Sequence, residues 1–121
     1  MASTKKILIA DDSAFMRTIL SDILKKNGYE QISEASNGNE AVEKYNAEKP
    51  DLLLCDIIMP EKDGIGVLKE LIPGGAKIIV VSAVGQDDMI TQAKELGASG
   101  YIVKPFEEKQ VIEAITALIG A

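Results

Sequence analysis

The 121-residue chain has no histidine, no tryptophan and only one cysteine. Without histidine there is no Ser-His-Asp or Cys-His catalysis, no imidazole metal ligand and no histidine to carry a phosphoryl group. A lone Cys55 can neither close an intramolecular disulfide nor build a thiolate zinc site. No apolar stretch approaches the roughly 20 residues that a bilayer crossing needs. The opening Met1-Ala2-Ser3-Thr4-Lys5-Lys6 also lacks the apolar core and cleavage site of a secretory leader. The expected location is the cytoplasm, off the membrane. A net charge of −6 removes the basic face on which nucleic-acid binding draws. The remaining chemistry falls to carboxylates, hydroxyls and lysine.

What is present is an alternation of strand and helix patterns across one domain, residues 1–121, with no linker, repeat or low-complexity segment. Lys5 to Ala10 reads as a strand. From Ala14 to Asn27, Phe15, Met16, Ile19, Leu20, Ile23 and Leu24 recur at helical spacing. Asp12 or Ser13 is the natural N-cap and Gly28 the stop. Glu30 to Ala35 is a more polar strand, suited to an edge. A helix with Ala41, Val42 and Tyr45 follows, with Glu40 and Lys44 spaced for an i,i+4 pair and Pro50 ending it. Leu52 to Asp56 is an apolar run short enough for a strand buried on both faces. Next come a helix with Ile65, Val67, Leu68, Leu71 and Ile72 inward, a strand over Lys77–Ser82, and a helix over Gln86–Leu96. A strand over Ser99–Val103 and an amphipathic helix over Glu107–Ile119 close the chain. Such alternation predicts an α/β fold: a parallel five-stranded sheet with helices on both faces and right-handed crossovers.

In a parallel sheet the strand ends share one edge, and open sheets of this kind carry their sites there. The first strand delivers Asp11 and Asp12, the third Asp56, the fourth Ser82 and the fifth Lys104. Three neighbouring carboxylates repel one another and raise their own pKa values unless a cation intervenes. Mg²⁺ takes oxygen ligands and binds through a few carboxylates and a phosphate oxygen, and a lysine beside it can offset anionic charge. The set suits phosphoryl transfer onto a carboxylate, with Asp56 as nucleophile. Each residue taken alone has a plainer reading. Asp12 could be only a cap, Ser82 a backbone-bonded hydroxyl, Lys104 a solvated lysine, Cys55 a small core residue and Tyr101 a packing residue. Their coincidence at successive strand ends is what those readings do not predict.

The segments Ile9-Ala10-Asp11-Asp12-Ser13, Asp56-Ile57-Ile58-Met59-Pro60-Glu61-Lys62-Asp63-Gly64, Ser82-Ala83 and Gly100-Tyr101-Ile102-Val103-Lys104-Pro105-Phe106 resemble the receiver domains of two-component response regulators. Over nearly its full length the chain is similar to the stand-alone chemotaxis members. The resemblance implies a single-domain doubly wound (βα)5 flavodoxin-like fold with strand order 2-1-3-4-5 and no output domain. It implies that Asp56 accepts a phosphoryl group from a chemotaxis-type histidine kinase, with Mg²⁺ (or Mn²⁺) held by Asp11, Asp12, Asp56 and the Ile58 carbonyl. Ser82 and Tyr101 become the switch pair, Lys104 the ion-pair partner, and the Lys104–Pro105 bond cis. Expected partners are the kinase, a motor switch protein or adaptor, and a phosphatase, with the chain itself a monomer. The only catalysis implied is its own phosphorylation and dephosphorylation.

Two departures from the family pattern carry their own expectations. Asp87-Asp88 opens a helix that is more basic in relatives docking an acidic motor peptide, which points to a different partner such as an archaeal-type adaptor. Ile58 and Val84 stand where polar residues often assist dephosphorylation, so the phosphorylated form should be long-lived. Competing functions are a phosphate-sink receiver, a haloacid-dehalogenase-like phosphatase and a nucleotide or flavin module. The phosphatase needs a spaced Asp-x-Asp after the first strand and a cap domain. Gly64-Ile65-Gly66 lacks the third glycine of a dinucleotide fingerprint.

Overall fold

A computed structural model describes residues 3–83 and 85–120. The elements alternate as β1 (Ser3–Ala10), α1 (Ala14–Lys26), β2 (Tyr29–Ala35), α2 (Gly38–Glu48), β3 (Leu52–Asp56), α3 (Gly64–Leu71), β4 (Ile78–Ala83), α4 (Asp87–Leu96), β5 (Gly100–Lys104) and α5 (Glu108–Ile119). A 3₁₀ turn, Ile72–Gly74, follows α3. All strand pairings are parallel and the order is β2-β1-β3-β4-β5, as expected.

The two-residue period of the strands divides the core into two layers. Ile7, Ile9, Leu52, Leu54, Ile79 and Val81 pack against Leu20 and Leu24 of α1 and Val111 and Ile115 of α5. Leu8, Leu53, Cys55, Ile78 and Val80 face the other way, onto Ala41 of α2, Val67 and Leu68 of α3, and Ile90 and Ala93 of α4. Each leucine, isoleucine or valine among them contributes about 1.5–3 kcal/mol on burial. A one-residue slip of β3 would exchange the two sets, so this packing sets where Asp56 emerges. The helices start where side chains can cap them: Ser13, Asn37 and Asp63 accept from the backbone N–H groups of Met16, Glu40 and Gly66. Glu107 and Gln110 form a reciprocal capping box at α5.

The α1 periodicity holds, although Phe15 lies off its buried stripe: it is 75% exposed, about 140° around the helix from Leu20 at 3.6 residues per turn. Two expectations are corrected. Ile72 leaves α3 for the 3₁₀ turn and is only partly buried. Glu40 and Lys44 each find backbone partners instead of one another. Glu40 accepts from Ser36 N at 2.7 Å, while the Lys44 ammonium donates to the Glu34 carbonyl. A backbone partner already fixed by the fold competes well with a flexible surface ion pair.

β1 pairs with β2 on one side and β3 on the other. Successive crossovers therefore leave in opposite directions there, opening a crevice at the carboxyl ends of β1 and β3.

Candidate functional site

Asp11 follows β1 directly and is 1% exposed. Its N–H donates to the Ala35 carbonyl at 3.1 Å, continuing the β1–β2 ladder. Its carboxylate is engaged at both oxygens. Oδ1 accepts from Ser13 N at 2.9 Å, and Oδ2 lies 3.3 Å from the Lys104 ammonium. Ser13 is the N-cap of α1, its hydroxyl accepting from Met16 N at 3.2 Å. The cap is therefore not Asp12, whose exposed side chain is left to face the crevice.

Asp56 ends β3 and is 8% exposed. Its Oδ1 accepts from Ile58 N at 3.4 Å and its Oδ2 lies 3.4 Å from the same Lys104 ammonium. One lysine thus bridges two buried carboxylates from β5. Asp11, Asp12 and Asp56 each offer a carboxylate oxygen within 4.8 Å of the others. Burial, then the Asp11 charge, pushes the Asp56 carboxyl above the usual aspartate range, and Lys104 and the Ile58 N–H oppose this. A donor set of three carboxylates, one of them open to solvent, fits a hard divalent cation that keeps some of its waters. Cys55, buried behind Asp56, has its thiol pushed far up by burial and by Asp56, which leaves it an inert core residue.

Ser82 lies one residue beyond Val81, the β4 partner of Asp56. It is fully buried, and its hydroxyl oxygen has no hydrogen-bond partner among the described residues. Leaving such a group unmatched costs about 1–3 kcal/mol. Tyr101 is not gathered into the crevice. It is 47% exposed, with the Lys94 ammonium 4.3 Å from its ring centroid. Ile58 stands at the mouth, 51% exposed, and the Lys104–Pro105 bond is cis. Val84 lies outside the described residues.

The loop from Ile57 to Asp63 is tightly held. Gly64 N donates to the Ile57 carbonyl at 2.7 Å, and a Cβ on Gly64 would sit 2.5 Å from the Asp56 carbonyl oxygen. On the α2 side, a Cβ on Gly38 would come within 1.9 Å of the Lys62 carbonyl oxygen. The Lys62–Glu70 ion pair holds the same loop. At the start of α3 the Asp63 carboxylate accepts from Gly66 N at 2.9 Å, so the helix terminus that a nucleotide phosphate would use is already capped.

Sequence reasoning missed Arg17, whose guanidinium donates to the Asp11 carbonyl at 2.6 Å and to Glu34 at 2.9 Å. Its one signal is rarity, since every other basic residue is lysine.

The arrangement can bind a divalent cation, present a carboxylate to an electrophilic phosphorus and neutralise the arriving charge with Lys104. Residues 7–116 match the profile of the response regulator receiver domain. Chemotaxis protein CheY of Thermotoga maritima is 53% identical over 113 residues, spanning 92% of this chain and 94% of that protein. CheY of Bacillus subtilis is 54% identical over 112 residues, spanning 91% and 93%. Among solved structures, a CheX–CheY–BeF3–Mg complex of Borrelia burgdorferi superposes with a TM-score of 0.89 at 32% identity, covering 95% of this chain and 89% of that one.

Proposed function

The chain belongs to the response regulator receiver domain family, and on that premise we propose that it is a phosphorylation-switched regulator of chemotaxis with Asp56 as its phosphoacceptor. The observation that carries the reading is the Lys104 ammonium set 3.3 Å from Asp11 and 3.4 Å from Asp56, at the edge of three convergent carboxylates. Asp11, Asp12, Asp56 and the Ile58 carbonyl would hold Mg²⁺, or Mn²⁺ in its place. When bound, the ion neutralises charge on the transferring phosphoryl oxygens.

In the transfer, an Asp56 carboxylate oxygen forms a bond to phosphorus as the phosphorus–nitrogen bond of a kinase phosphohistidine breaks, and the imidazole leaves. Burial of Asp56 on β3 aims the attacking oxygen; the same burial, then the Asp11 charge, raises its carboxyl pKa, and a cation beside it would offset both. Lys104 follows the growing negative charge. Ser82, buried with an unmatched hydroxyl, then has an acceptor to donate to. Its movement opens space at β4 into which Tyr101, outward in this structure, can turn. A partner that binds the α4–β5 surface only in that form sees more competent protein.

That partner is a motor switch protein or its adaptor. The exposed Asp87 and Asp88 favour the positive end of the α4 dipole and make the corner acidic, which disfavours an acidic docking peptide. A CheX-type phosphatase would end the signal, as the components of the Borrelia complex suggest. We place the protein in the cytoplasm as a monomer; no helix among the described residues is long and apolar enough to cross a membrane.

The test is phosphotransfer from a histidine kinase phosphodonor domain carrying labelled phosphohistidine. Label should pass to the wild-type chain in the presence of Mg²⁺ and not to Asp56→Asn. Equal labelling of the variant would refute the assignment.

A further inference from the structure

We propose that Arg17 is a positioning residue for the acidic cluster: its guanidinium ties the Asp11–Asp12 peptide to the end of β2 and so keeps both carboxylates at cation-binding spacing. The proposal rests on the reading of that cluster as the Mg²⁺ site.

Arg17 is the only arginine among the 13 basic residues. It sits one turn into α1 with a side chain 17% exposed. Nη1 donates to the Asp11 carbonyl at 2.6 Å, and Nε donates to Glu34 Oε1 at 2.9 Å. Glu34 is the penultimate residue of β2, opposite Ile9. From its other side Asp11 donates its N–H to Ala35 at 3.1 Å. Both ends of Asp11 are therefore fastened to the same strand terminus, one directly and one through the guanidinium. Lys44 in turn donates to the Glu34 carbonyl and holds that terminus from α2.

The Asp11 carbonyl belongs to the peptide that leads into Asp12. Its orientation decides where the Asp12 Cα, and hence the exposed carboxylate, is placed. The Ser13 N–H bond to Asp11 Oδ1 spans the same peptide from the side-chain side, and among the hydrogen bonds of the described residues Arg17 is the group that holds its carbonyl. A planar guanidinium directs two N–H groups at two partners in fixed relation, whereas an ammonium on a flexible stem imposes no such plane.

Charge and geometry predict opposite signs. If Arg17 acted only as a nearby positive charge, removing it would strengthen the binding of a dication. If it holds the ligand peptide in place, removing it weakens binding.

The experiment is a calorimetric Mg²⁺ titration of the unphosphorylated protein, with urea unfolding in chelator to check the apo fold. Outer-sphere partners of metal ligands typically change affinity by about 10–100-fold, and the low end, about tenfold weaker, is expected for Arg17→Gln. Arg17→Lys and Glu34→Asp keep their charges and lose the fork or its reach, and should each weaken binding by about threefold to fivefold. Tighter binding in Arg17→Gln, or wild-type affinity in both charge-preserving variants, overturns the proposal. If the Arg17 variants fail to fold, Glu34→Asp decides alone, with wild-type affinity overturning it. Failure of the underlying reading looks different. There the wild-type chain takes up no Mg²⁺ at millimolar concentration, or Asp12→Asn binds as tightly as wild type, and the proposal falls with it.

Discussion

Replacing Asp56 by Asn should stabilise the metal-free protein, although it destroys the proposed phosphoacceptor. The Asp56 carboxylate lies within 4.8 Å of carboxylate oxygens on Asp11 and Asp12. At an effective dielectric of 20, each like-charge pair at that separation repels by about 3.5 kcal/mol. The attraction to Lys104 at 3.4 Å returns about 5 kcal/mol on the same basis. The two repulsions together exceed the attraction by about 2 kcal/mol; screening at the exposed Asp12 reduces this, burial of the Asp56 charge adds to it, and the net relief is about 1–2 kcal/mol. Urea unfolding at pH 7 in chelator should show that gain, and thermal unfolding a rise of about 3–8 °C. The pH dependence has a definite sign. The Asp56 carboxyl is raised in the folded state, so its protonation favours folding. That contribution is fully present below the ordinary aspartate range and is lost as pH rises through the folded value. The variant's advantage is therefore greatest at neutral pH and closes by about pH 4. An Asp56→Asn protein less stable than wild type at pH 7, or a gap that widens on acidification, would refute this electrostatic account.

Other expectations follow from the same geometry. Mg²⁺ at about 100 times its dissociation constant should stabilise the wild-type protein by about 2.7 kcal/mol in a thermal or urea experiment; Asp12→Asn should lose most of that, and no stabilisation at millimolar Mg²⁺ would count against an assembled site. Ser82→Ala removes a buried hydroxyl without a partner and should raise apo stability by about 1 kcal/mol, while abolishing the phosphorylation-dependent change in partner binding. Ile58→Asn puts a polar group at the mouth of the crevice and should speed loss of the phosphoryl group; an unchanged hydrolysis rate would remove Ile58 as a determinant of signal lifetime.

The sequence was most legible where packing and chain breakers agree. The span of β3, Leu52–Asp56, was read residue for residue, because Pro50 and Pro60 bound a run that both core layers bury. The convergence of Asp11, Asp12, Asp56 and Lys104 is legible from topology, since parallel strands deliver their ends to one edge. Period counting places Phe15 on α1 but not on or off its buried face, because membership of an amphipathic helix does not say where the apolar stripe ends. The Glu40–Lys44 pair failed because spacing is blind to backbone acceptors nearby. Tyr101's outward position depends on a choice of side-chain rotamer and on Lys94, which strand pattern does not encode. Arg17 was invisible for a similar reason. Its partners are a turn carbonyl and a glutamate 17 residues away, and they meet only after β1 and β2 have paired.

The most direct test of the central claim is intact-mass measurement after incubation with a small phosphodonor and Mg²⁺. The account predicts a single added phosphoryl group on the wild-type chain, absent without a divalent cation and absent in Asp56→Asn. An unmodified wild-type chain under every condition, or an Asp56→Asn variant that takes up the group as readily, would contradict it.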